Sequence, residues 1–310
     1  MKKIIALAAA ALMLTSAMLT PVGAEDKVPK PVAAYSFDDV KNPGYDISGN
    51  GNSLSIKGTV KSADGKYGKA IRLDYTGALA AKQGSGGADF VDLIETKGTK
   101  QLTLMYWVKY SKADLASWNS DYGWRRIVSN GVDGSTGFGG FAMLGLADNL
   151  IVPGNINPAC VFHTEKAGTW SGGNWSTYPW TEEWSHVAWT VDLNTNRCMF
   201  YVNGTAIFDL AEKDLVTGLC NVSRAFSIGA NWFTDGDGNN VFDQPFAGEI
   251  DDFYVFDRFL DAEAIAHYMN NNYVPPKDPT PPATSDFTAA LIPVTLTAAL
   301  AVLAGRKKRL

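Results

Sequence analysis

The alternation of apolar and polar positions is clearest in residues 184–204, where it predicts a β-hairpin. Apolar residues recur at every second position on both sides of the polar turn 194–196: Val187, Trp189 and Val191, then Cys198, Phe200 and Val202. A period of two is typical of a strand with one buried face. Asn203 and Gly204 then favour a turn with positive φ, which predicts a further strand over residues 205–210.

The same pattern predicts short strands along most of the chain and one helix near its end. The strands are expected at residues 32–37, 70–74, 102–110, 126–129, 141–146, 150–152, 225–229 and 248–257. Residues 261–270 have the pattern of a helix, with Asp261 as N-cap and with Ile265 and Met269 on one face. Many short strands with one small helix predict an all-β protein built as a two-sheet antiparallel sandwich.

Five segments in a fixed order carry a resemblance to a known family. They are DISGNGNSLSIKG (46–58), DGKYGKAIRLD (64–74), LTLMYWVK (102–109), the hairpin with W-x-H-V-A-x-T-x-D and Y-V-N-G (184–204), and FAGEIDDFYVFDRFLDAEAI (246–265). Together they resemble the bacterial LamG variety of the laminin-G-like domain, within the concanavalin A-like lectin and glucanase superfamily. The resemblance covers residues 32–273 and implies a jelly-roll sandwich with one short C-terminal helix.

Both ends of the chain have the composition of targeting segments. Residues 1–24 combine Lys2 and Lys3 with an apolar run and a small-residue exit at Ala24, which predicts a secretory signal peptide. Residues 274–286 are rich in proline and predict an extended linker. Residues 287–305 are apolar enough for a membrane anchor, and the basic tail 306–310 is expected to stay cytoplasmic.

A short motif before the apolar segment suggests how the protein is anchored. Residues 281–285, PPATS, resemble the sortase sorting signal of Gram-positive surface proteins, with Pro in place of Leu first and Ser in place of Gly last. This resemblance implies transfer to the cell wall after Thr284; the alternative is that the helix persists as a plain membrane anchor. Either way we expect residues 25–273 to form one extracellular, cell-surface domain, and we expect it to be monomeric.

Charge and cysteine content argue against two classes of protein, nucleic-acid-binding proteins and disulfide-rich modules. The net charge of -5 and the pI near 5.3 argue against nucleic acid as a partner, because such binding needs a concentrated basic surface. The chain has three cysteines, Cys160, Cys198 and Cys220. A disulfide scaffold needs more cysteines, and an odd number cannot all be paired. We expect buried thiols, with a Cys198–Cys220 bridge as the alternative.

Two polar, tryptophan-rich stretches, residues 116–140 and 163–184, are the candidate ligand-binding region. Tryptophans in such loops either pack onto the sandwich as lids or lie exposed as stacking platforms. An exposed indole beside hydrogen-bonding side chains suits a sugar, whose C–H face packs on the ring. The candidate ligand-binding residues are Trp118, Trp124, Arg125, Trp170, Trp175, Tyr178 and Trp180.

The resemblance also implies a structural Ca²⁺ where the first strand meets the last. Its ligands would be Asp38, Asn50 and Asp252, which offer the oxygen donors that Ca²⁺ requires. The alternative is that these side chains only cap turns. A second acidic stretch, residues 235–239, copies the start of an EF-hand loop but has Phe246 at its twelfth position, so we do not expect a metal there.

Catalysis is not expected. β-Glucanases of this superfamily carry E-x-D-x-x-E on one strand, because retaining hydrolysis needs two carboxylates on one face. Here Glu249 and Asp251 begin that pattern, but Tyr254 stands at the second glutamate. The sequence therefore predicts a non-catalytic, lectin-like domain that binds a polysaccharide or glycan. A protein-binding adhesin or a structural surface-layer module is the alternative, and a glycoside hydrolase is the third.

Overall fold

The computed structural model describes residues 28–81, 99–111, 113–114, 124–130, 141–146, 155–163, 170–171, 178–179, 181–211 and 225–275. The chain divides into two units, Met1–Pro275 and Pro276–Leu310, and every described residue belongs to the first. The predicted signal peptide, sorting motif, anchor and tail lie outside the described residues, as does the strand predicted at 150–152. In the ranges given above, no helix has the length and apolarity needed to span a membrane.

The described part is built mainly from strands. In chain order they are β1 (Ala33–Tyr35), β2 (Ser55–Gly58), β3 (Lys61–Asp64), β4 (Lys69–Asp74), β5 (Gly77–Ala80), β6 (Gln101–Lys109), β7 (Trp124–Asn130), β8 (Phe141–Leu146), β9 (Asn155–His163), β10 (Trp170–Ser171), β11 (Tyr178–Pro179), β12 (Ser185–Asp192), β13 (Arg197–Val202), β14 (Thr205–Ala211), β15 (Phe226–Ile228), β16 (Asn231–Thr234), β17 (Asn240–Asp243) and β18 (Ala247–Phe256), followed by the helix α1 (Ala262–Asn270).

The strands form two large antiparallel sheets and a separate hairpin. Sheet A has the order β14-β13-β12-β6-β18-β4-β3, with β1 also paired to β18. Sheet B has the order β10-β9-β8-β7-β15-β5-β2, with β11 also paired to β9, and β16 pairs with β17 alone. The predicted all-β jelly-roll sandwich is thus confirmed.

The hairpin predicted from the alternation pattern forms the second and third strands of sheet A. β12 pairs with β13 from Val187 opposite Val202 to Asp192 opposite Arg197. The apolar set of this hairpin faces the core, where Trp189 is fully buried and donates from Nε1 to Cys198 Sγ at 2.9 Å. Cys198 is therefore a core thiol and not half of a disulfide, so the alternative Cys198–Cys220 bridge is not formed.

The helix α1 covers part of the outer face of sheet A. Asp261 caps it as predicted, because its carboxylate accepts a hydrogen bond from Ala264 N at 2.9 Å. The buried side chains are Ile265 and Tyr268, whereas Met269 is only half-buried. They pack against an apolar cluster on the outer face of the sheet, formed by Ala34, Met105, Ala188, Tyr201, Tyr254, Phe256 and Leu260.

Candidate functional site

The outer face of sheet B is defined by strands β7 and β15. Val128 and Ile228 lie opposite each other and belong to the core between the sheets. Ser129 and Ser227, which also lie opposite each other, must then lie on the outer face, since successive residues of a strand alternate. The outer face is therefore the part of this sheet where a ligand could bind.

The register of sheet B places two of the predicted tryptophans on this outer face. Arg126 lies opposite Leu144 and Ser129 opposite Ala142, so position 126 shares the face of Ser129, and position 124 follows by alternation. Ala142 lies opposite Val161, so Val161 and, two residues on, His163 are also on this face. Position 170 lies opposite His163. Positions 124 and 170 thus share one face of one sheet.

Two other predicted ligand-binding residues, Arg125 and Tyr178, do not lie on the outer face. Arg125 lies opposite Gly145, and Tyr178 opposite Ile156, and both positions alternate onto the inner face. The guanidinium of Arg125 lies 5.3 Å from the ring centroid of Tyr75. Trp118, Trp175 and Trp180 lie outside the described residues.

Arg126 is a buried residue of the outer face. It is 4% exposed; its Nε donates to Gln244 Oε1 at 2.6 Å and its Nη1 to Ser129 Oγ at 3.1 Å. The hairpin β16–β17 contacts β7 and β15, and its Trp232 belongs to the core and is bonded through Nε1 to Asn240 Oδ1. The elements described here form no layer over β8, β9 or β10, so that part of the outer face is the candidate ligand face.

A second site candidate is a cluster of three aspartates where the first strand meets the last. Tyr35 lies opposite Phe253, so Asp38, which follows β1, approaches Asp251 and Asp252 on β18. The register shifts between Asp251 and Tyr254, and Asp252 has a φ of 44°, a conformation that a non-glycine residue seldom adopts. Asp251 and Asp252 are both buried. We call these three residues the acidic cluster.

A tight turn at residues 65–68 packs its backbone directly against the acidic cluster. Tyr67 N donates to Asp251 Oδ2 at 2.9 Å, and Lys69 N donates to Asp38 Oδ1 at 2.8 Å. Gly68 has a φ of 54°, and a Cβ atom there would collide with Asp38 Oδ1. A side chain at this position would therefore push the turn away from the carboxylates that it binds.

Burial dominates the electrostatics of the acidic cluster. Burial, and then the charge of Asp252, raise the pKa of Asp251 to about 8. Burial also raises the pKa of Asp252 to about 7; its hydrogen bond from Tyr254 acts in the opposite direction, and the charge of Asp38 adds to the rise. Asp252 Oδ2 is buried without a hydrogen-bond partner. An oxygen in that state is suited to a metal ligand.

The third predicted calcium ligand lies elsewhere. Asn50 Nδ2 donates to Val32 O at 3.2 Å, at the start of β1, whereas Asp38 follows the end of that strand. The structure thus brings Asp38 and Asp252 together but does not bring Asn50 to them. Throughout the described ranges, no three His, Cys, Asp or Glu side chains are arranged to hold a metal ion by themselves.

The second acidic loop is a turn. Asp235 Oδ1 accepts hydrogen bonds from Asp237 N at 3.0 Å and Asn239 N at 2.8 Å, at the tip of the hairpin β16–β17. The carboxylate thus satisfies the turn's own amides, as asparagine and aspartate commonly do.

The turn at residues 65–68 was not predicted from the sequence to be part of the acidic cluster. Gly65 and Gly68, three residues apart, indicated that the backbone there approaches another group closely. The group is Asp251, because the pairing of β4 with β18 brings the turn beside it. That pairing is long-range, so the signal could not be assigned from the sequence alone.

Taken together, the two antiparallel sheets and the outer helix define a lectin-like jelly-roll sandwich. A family profile described as the concanavalin A-like lectin/glucanases superfamily (Laminin G 3) matches residues 82–266, more than half of the chain. The protein therefore belongs to this superfamily. A comparison with curated proteins gave no match.

Several solved structures share the fold. Domain 4 of AbnA, a GH43 extracellular arabinanase from Geobacillus stearothermophilus, in complex with arabinotriose, is 22% identical over 77% of this chain and 98% of that chain, with a TM-score of 0.53. The binding domain of botulinum neurotoxin DC in complex with SialylT is 15% identical over 78% of this chain and 51% of that chain (TM-score 0.51). The same toxin domain in complex with rat synaptotagmin II is 14% identical over equal shares, also with a TM-score of 0.51. At these identities the likeness establishes the fold alone.

Proposed function

We propose that this protein is a non-catalytic carbohydrate-binding domain whose ligand face is the outer face of sheet B over β8, β9 and β10. The observation that carries the proposal is that positions 124 and 170 share this face, where the described elements form no covering layer. Indole rings on such a face bind the C–H side of a sugar ring, while neighbouring polar groups pair with its hydroxyls.

The structural neighbours support a sugar as the ligand. The arabinanase domain, nearly all of which aligns with this chain, is in complex with arabinotriose, and the toxin domain is in complex with SialylT. The toxin domain in complex with synaptotagmin II favours a second candidate, adhesion to a protein, on the same fold. A structural surface-layer role stays the remaining non-catalytic alternative.

Calcium is proposed as a structural ion at the acidic cluster. Asp38 and Asp252 would hold it, with Asp252 Oδ2 as the oxygen that lacks any other partner. Asp251 has a different role, because the turn at residues 65–68 already donates to its carboxylate. When bound, the ion would neutralise buried negative charge and fix the first strand to the last.

The contacts of Glu249 and Asp251 support a binding role rather than hydrolysis. Glu249 Oε2 lies 2.7 Å from Lys109 Nζ, and Asp251 accepts from the backbone of the turn. Tyr254 stands where the second glutamate of the glucanase pattern would be, beyond a shift in strand register. Retaining hydrolysis needs a carboxylate pair across a groove, and these side chains are engaged in other interactions.

The predicted ends of the chain support a location outside the cell for this domain. We propose secretion through residues 1–24 and attachment of a monomer to a Gram-positive surface through residues 274–310. Sortase transfer after Thr284 and a plain membrane anchor stay the two alternatives for that attachment. Radiolabelled or mass-spectrometric detection of a cell-wall fragment on Thr284 would distinguish them.

The test is binding of the full-length chain to a panel of arabinans, sialylated glycans and microbial polysaccharides, with calcium and with chelator. We expect saturable quenching of tryptophan fluorescence by one glycan class, lost in Trp124→Ala and Trp170→Ala. Trp184→Ala is the matched control, because Trp184 is a half-buried indole beside Lys109 of sheet A. A folded protein that responds to no glycan, or loses binding equally in the control, would contradict the proposed ligand face.

A further inference from the structure

The outer-face positions of β8, β9, β10 and β11 hold no lysine, arginine, aspartate or glutamate. The pairing of these strands fixes which positions share this face, because successive residues of a strand alternate. The positions are Ala142, Leu144 and Leu146 on β8, Asn155, Asn157, Ala159, Val161 and His163 on β9, Trp170 on β10 and Pro179 on β11. These positions therefore supply no lysine or arginine to pair with a carboxylate or phosphate of a ligand.

Arg126 of β7 lies opposite Leu144, but its charge is directed into the fold. The residue is 4% exposed, and its Nε and Nη1 donate to Gln244 Oε1 and Ser129 Oγ. Its backbone N also donates to Gln244 O at 2.9 Å. A guanidinium held by these partners does not present its donors to the carboxylate of an acidic sugar.

The two tryptophan positions of the candidate ligand face lie far apart. Position 124 lies opposite Leu146, which in turn lies opposite Asn157 on β9, whereas position 170 lies opposite His163. Asn157 and His163 are six residues apart, which is about 20 Å along the strand. β7 and β10 are three strand spacings apart, about 14 Å. The two positions are therefore about 25 Å apart, and a single sugar ring can contact only one of them.

Each tryptophan position has a hydrogen-bonding residue in its own row, that is, among the residues that lie opposite one another across neighbouring strands. His163 stands directly opposite position 170, and Asn157 stands in the row of position 124. An imidazole and an amide both donate and accept hydrogen bonds, as the hydroxyls of a sugar do. The positions of β8 and β9 between these two rows hold aliphatic residues.

We propose that the ligand is an uncharged polysaccharide whose chain crosses the face diagonally and places one sugar ring at position 124 and another at position 170. The residue types on the face favour an uncharged glycan over a sialylated one. The distance between the two positions favours a polymer over a short oligosaccharide. Two contacts on one chain reinforce each other, because the first raises the effective concentration of the second. This inference rests on the proposed ligand face and adds the charge and the length of its ligand.

The experiment is calorimetric titration of the full-length chain with glycans that differ in charge and in length. The uncharged probes are linear arabinan, mannan and mixed-linkage β-glucan, each with its trisaccharide, and the acidic probes are polysialic acid, polygalacturonate and hyaluronan. We expect an uncharged polymer to bind most tightly. Its trisaccharide should bind on the order of a hundredfold more weakly, because it reaches only one of the two positions. Added salt should leave the affinity for the polymer unchanged, since no ion pair is formed.

Substitutions at the two positions test whether one chain contacts both. Trp124→Ala and Trp170→Ala should each remove the advantage of the polymer over its trisaccharide, because one contact is left in either variant. Trp184→Ala, on sheet A, is the matched control and should keep that advantage. Circular dichroism of each variant reports whether it is folded, and the comparison of polymer with trisaccharide in the wild type tests the inference without any variant.

The outcomes separate this inference from the proposed function. If an acidic glycan binds most tightly and depends on the two tryptophans, the uncharged ligand is wrong and the ligand face stands. If the trisaccharide binds as tightly as the polymer, the spanning chain is wrong and the face stands as a site for a short glycan. If a polymer binds equally well to the wild type and to both folded variants, the ligand face itself is wrong. If the folded protein binds no glycan, the proposed function fails and the inference fails with it.

Discussion

Asp252→Asn should change the stability of the protein in opposite directions with and without calcium. The substitution removes the charge of a buried carboxylate but keeps its size, and asparagine is among the residues that best tolerate the positive φ found there. Without a cation, the folded protein must hold Asp252 ionised in a buried position at high pH. The variant is free of that cost, so it should be the more stable protein in chelator.

The magnitude follows from the pKa of Asp252, which rises from 3.8 to about 7 on folding. A rise of about three units corresponds to roughly 4 kcal/mol once the pH exceeds the folded value. An amide in place of the carboxylate leaves polar hydrogens to satisfy, which costs about 1–3 kcal/mol. A net gain of about 1–3 kcal/mol is therefore expected at pH 8 in chelator.

The pH dependence has the same origin. Between about pH 4 and pH 7 the folded state binds more protons at Asp252 than the unfolded state, so this residue makes stability fall as the pH rises. In Asp252→Asn this contribution is absent. Calcium at 100 times its dissociation constant would add about 2.7 kcal/mol to the wild type, and nothing comparable to the variant.

Urea unfolding at pH 8, followed by tryptophan fluorescence in calcium and in chelator, measures both effects. Asp235→Asn is the control, because it removes a half-buried turn carboxylate far from the acidic cluster in sequence and should cost a similar small amount in both conditions. A variant that is less stable than the wild type in chelator would refute the argument from burial. A variant that keeps the full calcium response would refute the assignment of Asp252 as a ligand.

Three further predictions concern the described core and turns. Burial lowers the pKa of His186 to about 3, so the folded state holds this side chain neutral. Between pH 6.5 and pH 4.5 the free energy of unfolding should therefore fall by about 3 kcal/mol. Urea unfolding of His186→Phe should lack this decrease. Gly68→Ala should cost about 1–3 kcal/mol more than Gly238→Ala by thermal unfolding; both glycines have positive φ, but only at Gly68 would a Cβ strike a carboxylate. Cys198→Ala should cost about 1–3 kcal/mol by removing the acceptor of Trp189 Nε1, and reductant should not change the wild-type unfolding curve.

The fold was largely predictable because its central strands carry the strongest patterns. β8 was predicted with its observed bounds, and the hairpin β12–β13 with its turn. Among the strands that were missed, β2, β3 and β17 are four residues long and mostly exposed or half-buried, so they show no apolar alternation. β9 was missed although it has nine residues; it contains Pro158, and proline is uncommon inside a strand.

The candidate sites were predictable only in part. Asp38 and Asp252 were placed together by the family resemblance, and the structure brings them together. Asn50 was grouped with them by the same resemblance, but its side chain bonds to Val32 at the start of β1. The tryptophans were chosen by composition, which does not give the face of the sheet, and so Arg125 and Tyr178 were joined with positions that alternate to the other side.

The candidate sites lie on different sheets. The helix, the tyrosines that pack with it and the acidic cluster belong to sheet A. The candidate ligand face belongs to sheet B, on the opposite side of the core. Ligand binding at that face would therefore not involve the helix or the acidic cluster directly, so the two proposed sites can be tested by separate substitutions.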